Sequence, residues 1–167
     1  MSDGSITLQH DPVNLISNSA ADTRNLGALF GRIAFPGLII ELIGPPGSGK
    51  TEFTRGIAQG LGITREIRSP TFVLIHEYRD GRIPLFHMDF YRLLDGQPVG
   101  EMDIFEYEND SGLIVLEWAD GIEPGLSANR ICVKLGFIEA DSRSISIYTD
   151  NVIGEKFMKS LRINESL

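Results

Sequence analysis

Apolar residues Leu26, Leu29, Phe30 and Ile33 fall at i, i+3, i+4 and i+7, the stripe of an amphipathic helix that starts near Ala21 with Ser19 or Asp22 as its N-cap. Pro36 and Gly37 end that helix. The run Leu38 to Ile43 that follows is broken only by Glu41 and is rich in isoleucine, as in a central parallel strand. After a stretch of glycine and proline, Phe53, Ile57 and Leu61 return to helical spacing up to Gly62, which predicts a helix over 50–61. Strand-like segments at 71–78 and 82–89 flank Asp80-Gly81, a dipeptide that favours the two-residue type I′ turn of a tight hairpin. Pro84 makes the second of these edge-like at its start. Residues 100–109 are acidic, with Met102, Phe105 and Ile104 toward one face, and predict a short helix. Leu113 to Leu116 is a second fully apolar run and a second buried strand. Alternation at Ile131, Val133, Leu135 and Phe137, then at Ile145 and Ile147, predicts a closing pair of strands around 139–143. The tail from Asp150 reads as a peripheral helix through Val152, Ile153, Phe157 and Leu161, or as a frayed end.

No repeat and no long linker divides these elements, so 167 residues predict one domain, with its core at about 20–149 and with 1–19 and 150–167 peripheral. At this length folding hides roughly 70% of the extended chain's surface, enough for a core without disulfides or structural metal. Fifteen Lys and Arg against twenty-three Asp and Glu give a net charge of −8, which argues against stand-alone binding to a polyphosphate chain. Cys132 is the single cysteine, and the apolar alternation around it suggests a buried, inert thiol. Met1 to Pro12 lack the charged start and apolar middle of a signal peptide, and the longest apolar stretch is far below the roughly twenty residues of a membrane span. A cytoplasmic protein with no membrane association is expected.

Gly44-Pro45-Pro46-Gly47-Ser48-Gly49-Lys50-Thr51 fits G-x-x-x-x-G-K-[ST], and it lies between a predicted buried strand and a predicted helix, the context a phosphate-binding loop (P-loop) requires. Gly47 and Gly49 let the backbone turn around an anion, and the amides from Gly47 to Thr51 open the helix toward it. Pro45 and Pro46 precede the donating part of the loop and stiffen its entry. Lys50 would reach the outer phosphates, and the Thr51 hydroxyl would take one position on Mg²⁺. The motif is common to ATP and GTP sites, and the absence of an Asn-Lys-x-Asp string favours ATP. A P-loop also needs an acid at the end of a neighbouring strand, and Asp89 and Glu117 each close an apolar run. Trp118 lies beside Glu117. Ser69-Pro70-Thr71 could bring a hydroxyl or carbonyl to the γ-phosphate, or be a proline turn that starts a strand. His87, alone in a strand, reads as structural.

The ordered set Gly44 to Thr51, Ser69-Pro70-Thr71-Phe72, His87-Met88-Asp89-Phe90-Tyr91-Arg92 and Leu116-Glu117-Trp118 resembles the TsaE (YjeE) family of bacterial P-loop ATPases, over roughly Asp22 to Phe137. The resemblance implies a part in making N6-threonylcarbamoyladenosine at position 37 of ANN-decoding tRNAs, with TsaD and TsaB as partners and with tRNA met through that complex. It implies that Thr51 and Glu117 serve Mg²⁺, that Gly44, Pro46, Gly47, Ser48, Gly49, Lys50, Thr51 and Glu52 line the ATP site, and that Asp89, Thr71 and Glu117 serve hydrolysis and switching. Thr23, in Asp22-Thr23-x-x-Leu26-Gly27, matches an N-terminal motif near the adenosine, although a helix-cap role also suits it. Glu52 stands where the family commonly has a second Thr, and the tail beyond Phe137 is longer than the family core.

The fold expected is a three-layer α/β P-loop NTPase fold with a mixed, mainly parallel central sheet and ATP at the C-terminal edge of its strands. A low-activity, partner-stimulated ATPase is the function expected. Two alternatives use the same residues: a small-molecule kinase, weakened by the absence of an evident arginine-rich lid, and a nucleotide-gated binding module.

Overall fold

The apolar run at 38–43 becomes a strand whose side chains from Ile39 to Leu42 are all buried, as a strand paired on both edges and packed on both faces requires. The computed structural model describes residues 12–70, 74–90, 107, 110–118, 129–149 and 152–165. Its elements are β1 (Val13–Ser17), α1 (Ala20–Ile33), β2 (Ile39–Ile43), α2 (Lys50–Gly60), β3 (Ile75–Tyr78), β4 (Leu85–Asp89), β5 (Leu113–Glu117), β6 (Arg130–Phe137), β7 (Arg143–Tyr148) and α3 (Val152–Glu165).

Seven strands form one sheet in the order β1-β7-β6-β2-β5-β4-β3. Its centre, β6-β2-β5-β4, is parallel, and antiparallel strands flank it on both sides. One face carries Ile40, Leu42, Val115, Val133 and Ile147 against Phe30 of α1, Phe53 of α2 and Phe157 of α3. The Phe30 ring lies 5.0 Å from that of Phe53 and 5.1 Å from that of Phe157. On the other face Ile39, Phe86, Met88, Phe90, Ile114 and Leu116 form a second cluster, with Tyr107 edge-on to Phe86. Strands β2, β5 and β4 are therefore buried on both sides, the α/β P-loop architecture that the pattern predicts. Glu41, on this second face, is only 6% exposed and is paired with Arg130 at 3.4 Å.

Ser19 rather than Asp22 caps α1: its hydroxyl accepts the Asp22 amide, and the Asp22 carboxylate accepts the Asn18 amide in return. Helices α1 and α2 meet through two glycines each, spaced four apart. A side-chain carbon on Gly27 or Gly31 would lie 2.2 Å from the Phe53 carbonyl or 2.1 Å from that of Ile57. One on Gly56 or Gly60 would lie 2.0 Å from the Arg24 carbonyl or 2.2 Å from that of Ala28. Each helix thus rests on the bare backbone of the other.

Several expectations need correction. The tight Asp80-Gly81 hairpin does not form: Tyr78 pairs with Leu85, which leaves a six-residue connection, and the left-handed glycines do not include Gly81. Arg82 is drawn away instead, its amide to the Leu61 carbonyl and its guanidinium to the carbonyls at the end of α1. Pro84 does not mark an edge. Strand β4 lies between β5 and β3, and Pro84 precedes it and accepts the Leu113 amide. Cys132 is half-buried rather than buried, since the alternation that turns Ile131, Val133 and Leu135 inward sends Cys132 outward with Lys134. The tail is helical, with Phe157 and Met158 buried. Strand β1 has no counterpart in the sequence prediction; it pairs with β7 along the edge. The 100–109 helix, apart from Tyr107, lies outside the described residues, as does the 71–73 start of the hairpin.

Candidate functional site

Strand β2 ends at Ile43 and the chain turns through Gly44–Gly49 into α2. Gly47 and Gly49 adopt φ of 77° and 106°, values a side chain would strain. Gly44 is held by proximity as well, since a side-chain carbon there would lie 2.3 Å from the Leu135 carbonyl of β6. No side chain caps α2, so its first amides face the mouth of the loop, an arrangement suited to an anion. The Ser48 amide departs from expectation by closing a turn on the Pro45 carbonyl at 3.1 Å. Its hydroxyl is buried with no hydrogen-bond partner.

Lys50 is 5% exposed and folds back over the loop, donating to the carbonyls of Gly44 at 2.8 Å and Pro45 at 3.2 Å. Its ammonium lies 4.3 Å from the centre of the Trp118 ring. Burial lowers its pKa, against the opposing pull of Glu117 and Asp89. A desolvated cation resting on neutral carbonyls would gain by exchanging them for phosphate oxygens.

The two acids come from adjacent parallel strands, where Asp89 is in register with Glu117, so both project to the face that carries α1 and α2. Both are buried, at 2% and 3% exposure. His87, two residues before Asp89 and on the same face, places Nε2 2.8 Å from Glu117 Oε1, while its buried Nδ1 has no hydrogen-bond partner. Sequence reasoning passed over this contact: a lone histidine carries little signal, and only the register of β4 and β5 brings it to Glu117. Beyond Glu117 the chain takes φ of 59° at Trp118, a left-handed turn that lays the indole over Lys50.

Pro46, Gly47, Gly49, Lys50, Thr51, Glu52, Asp89 and Glu117 line one cleft of about 470 Å³, with Ser69, Arg55 and Trp118. Most predicted site residues thus come together. Gly44 and Ser48, also in the loop, are not among the residues that line the cleft. Thr23 is buried, with its hydroxyl 2.7 Å from that of Ser17 and its methyl facing Gly49, so it braces the loop from α1. Thr71 lies outside the described residues. Glu52 joins the helices by accepting from Arg24 at 2.6 Å and from Arg55. Burial pushes its carboxyl up, but the two arginines outweigh that and hold it below the ordinary glutamate value of 4.5.

A lowered folded pKa means that Glu52 stabilises the protein above its unfolded value, and that this contribution fades as pH falls through the folded one. Glu52→Gln should flatten the acid side of the thermal-midpoint profile below about pH 4.5, by an amount worth about 0.5 kcal/mol for pairs this exposed. Superimposable profiles would remove Glu52 from the α1–α2 junction.

Three ligand features are therefore present: left-handed glycines around an uncapped helix start, a buried ammonium, and two buried acids within its reach. The model of the threonylcarbamoyl adenosine biosynthesis protein TsaE matches residues 17–145. The chain belongs to the TsaE family. It is 39% identical over 136 residues to the tRNA threonylcarbamoyladenosine biosynthesis protein TsaE of Bacillus subtilis, covering 81% of this chain and 83% of that one. The TsaE protein of Treponema pallidum is 36% identical over 132 residues, 79% of this chain and 97% of that one. The crystal structure of Bacillus subtilis YdiB superposes with a TM-score of 0.80 at 32% identity, covering 94% of this chain and 99% of that one. Like the TsaE family model, these alignments take in the P-loop. Among the described residues no helix is long and apolar enough to cross a membrane.

Proposed function

We propose that this TsaE-family chain is a Mg²⁺-dependent ATPase that supports formation of N6-threonylcarbamoyladenosine at position 37 of ANN-decoding tRNAs, acting in the cytoplasm with TsaD and TsaB partners. The observation that carries the ATPase part is Lys50, a buried cation between the P-loop carbonyls and the paired acids Glu117 and Asp89. The tRNA part rests on the relatives, which are named for threonylcarbamoyladenosine biosynthesis. A net charge of −8 suits a subunit whose partners make most of the tRNA contact.

The α2 amides and Lys50 bind and orient the phosphate tail, and the glycines admit it close to the backbone. The donor set fits a hard cation: Thr51 and Glu117 would hold Mg²⁺, an oxygen-only pair of the kind this ion takes alongside phosphate and water. When bound, the ion neutralises charge across the outer phosphates. The hydrogen bond from His87 fixes the Glu117 carboxylate, and Asp89, beside it in register, is placed to orient a water.

The test is phosphate release by the purified chain with saturating ATP and Mg²⁺, with and without TsaD and TsaB. A slow basal rate raised by the partners is expected. Asp89→Ala should cut the rate at least about a hundred-fold, the low end for loss of a general base, and leave ATP affinity nearly unchanged. Glu117→Ala should instead shift the Mg²⁺ titration to higher concentration. No phosphate release in either state, with complex formation demonstrated, rejects the ATPase assignment; the reverse pattern in the two variants exchanges the acids' roles.

A further inference from the structure

His87 is wholly buried on β4 and stands diagonal to Glu117 across the pairing of β4 with β5. Its Nε2 lies 2.8 Å from Glu117 Oε1, and a carboxylate only accepts, so Nε2 carries a proton and donates it. Nδ1 is left buried without a partner. An apolar side chain would fill the same space with no orphaned nitrogen, so what the imidazole adds at this position is the bond from Nε2. Among the described residues the Glu117 side chain accepts no other hydrogen bond, which leaves Oε2 for a ligand in the cleft that Glu117 lines. The acid is thereby held at one oxygen and its plane is fixed.

Divalent ions differ in what they ask of a carboxylate. Ca²⁺ takes about six to eight oxygens in a flexible shell and often engages both oxygens of one acid, whereas Mg²⁺ needs near-octahedral geometry and is bound through one or two carboxylates beside water and phosphate. Turning both oxygens of Glu117 toward one ion would break the bond from His87 and leave a second nitrogen of the buried ring without a partner. We propose that His87 selects Mg²⁺ over Ca²⁺ at this site by holding Glu117 to single-oxygen coordination. The proposal rests on the Mg²⁺-dependent reading above and adds what sets the identity of the ion. His87 is a positioning residue, since it acts through Glu117.

The experiment measures ATP affinity by calorimetry at one pH while Mg²⁺ or Ca²⁺ is titrated, in the wild type, His87→Leu, His87→Phe and His87→Gln. The two apolar replacements differ in volume, so that a packing failure in one does not remove both, and thermal midpoints show which are folded. The glutamine amide can still donate to Oε1. In the wild type, Mg²⁺ should promote ATP binding at lower concentration than Ca²⁺. The apolar variants should raise the Mg²⁺ requirement about ten-fold, the effect of losing one hydrogen bond to a charged group, and change the Ca²⁺ requirement less than about two-fold. His87→Gln should keep the wild-type preference. An unchanged preference in the apolar variants overturns the proposal and makes His87 a packing residue. Equal losses for the two ions also overturn it, since the histidine would then support the acid without choosing its ion. If His87→Gln behaves as the apolar variants do, the donor is not what matters and the proposal falls. A wild type that responds equally to both ions overturns it and leaves a divalent site standing, whereas ATP binding that ignores both ions overturns the Mg²⁺ reading as well.

Discussion

Lys50→Ala is expected to weaken ATP binding by roughly a hundred-fold, about 3 kcal/mol, the loss of charged hydrogen bonds from one ammonium to phosphate oxygens. The folded protein should not suffer in proportion. Lys50 is a buried cation that desolvation disfavours and that rests on two carbonyls, so its removal takes away a cost along with two hydrogen bonds. The measurement is calorimetric affinity at matched salt and Mg²⁺ beside a thermal midpoint. Affinity within three-fold of the wild type would place the phosphates somewhere other than this loop.

The second large effect is on stability. Gly56→Ala puts a methyl 2.0 Å from the Arg24 carbonyl and 2.9 Å from the Ala28 amide nitrogen, both backbone atoms of α1 that no rotamer change can move aside. The helices must separate, and the rings of Phe30 and Phe53, 5.0 Å apart across the same junction, must separate with them. A loss of about 3 kcal/mol is expected, or some 6–12 °C in thermal midpoint for a chain of this size. Gly62→Ala is the control: it has open space around it, and its positive φ of 78° limits the cost to backbone strain of about 1 kcal/mol. Equal shifts in the two variants would mean that the close approach of α1 to α2 does not set the effect. Because α1 also braces the loop through Thr23, Gly56→Ala should weaken ATP binding at temperatures where the protein is still folded.

What was legible in the sequence was local. The stripe Leu26-Leu29-Phe30-Ile33 and the runs at 38–43 and 113–116 name their elements because periodicity depends on near neighbours alone. The P-loop residues are legible for the same reason, eight contiguous positions whose chemistry depends on backbone shape. Strand β1 was missed because Val-Asn-Leu-Ile-Ser is short and half polar; only β7, some 130 residues away, makes it a strand. Asp80-Gly81 misled because a turn signal competes with tertiary partners, and Arg82 found those at the end of α1. His87 reaches Glu117, and Phe137 reaches Gly47, only through strand register and sheet order, which a single sequence does not display.

Sheet order also governs when the nucleotide loop can exist during synthesis. Strand β2 emerges early, yet its neighbours are β5 and β6, separated from it by some 70 and 90 residues, and the Leu135 carbonyl that packs on Gly44 arrives with the second of them. Pairings of such long range are slow to close, because chain entropy is lost before any contact rewards it. A nascent chain on the ribosome therefore carries an apolar β2 that stays unpaired until β5 has left the exit tunnel and open along one edge until β6 follows, and that interval is when holdase chaperones have most to protect.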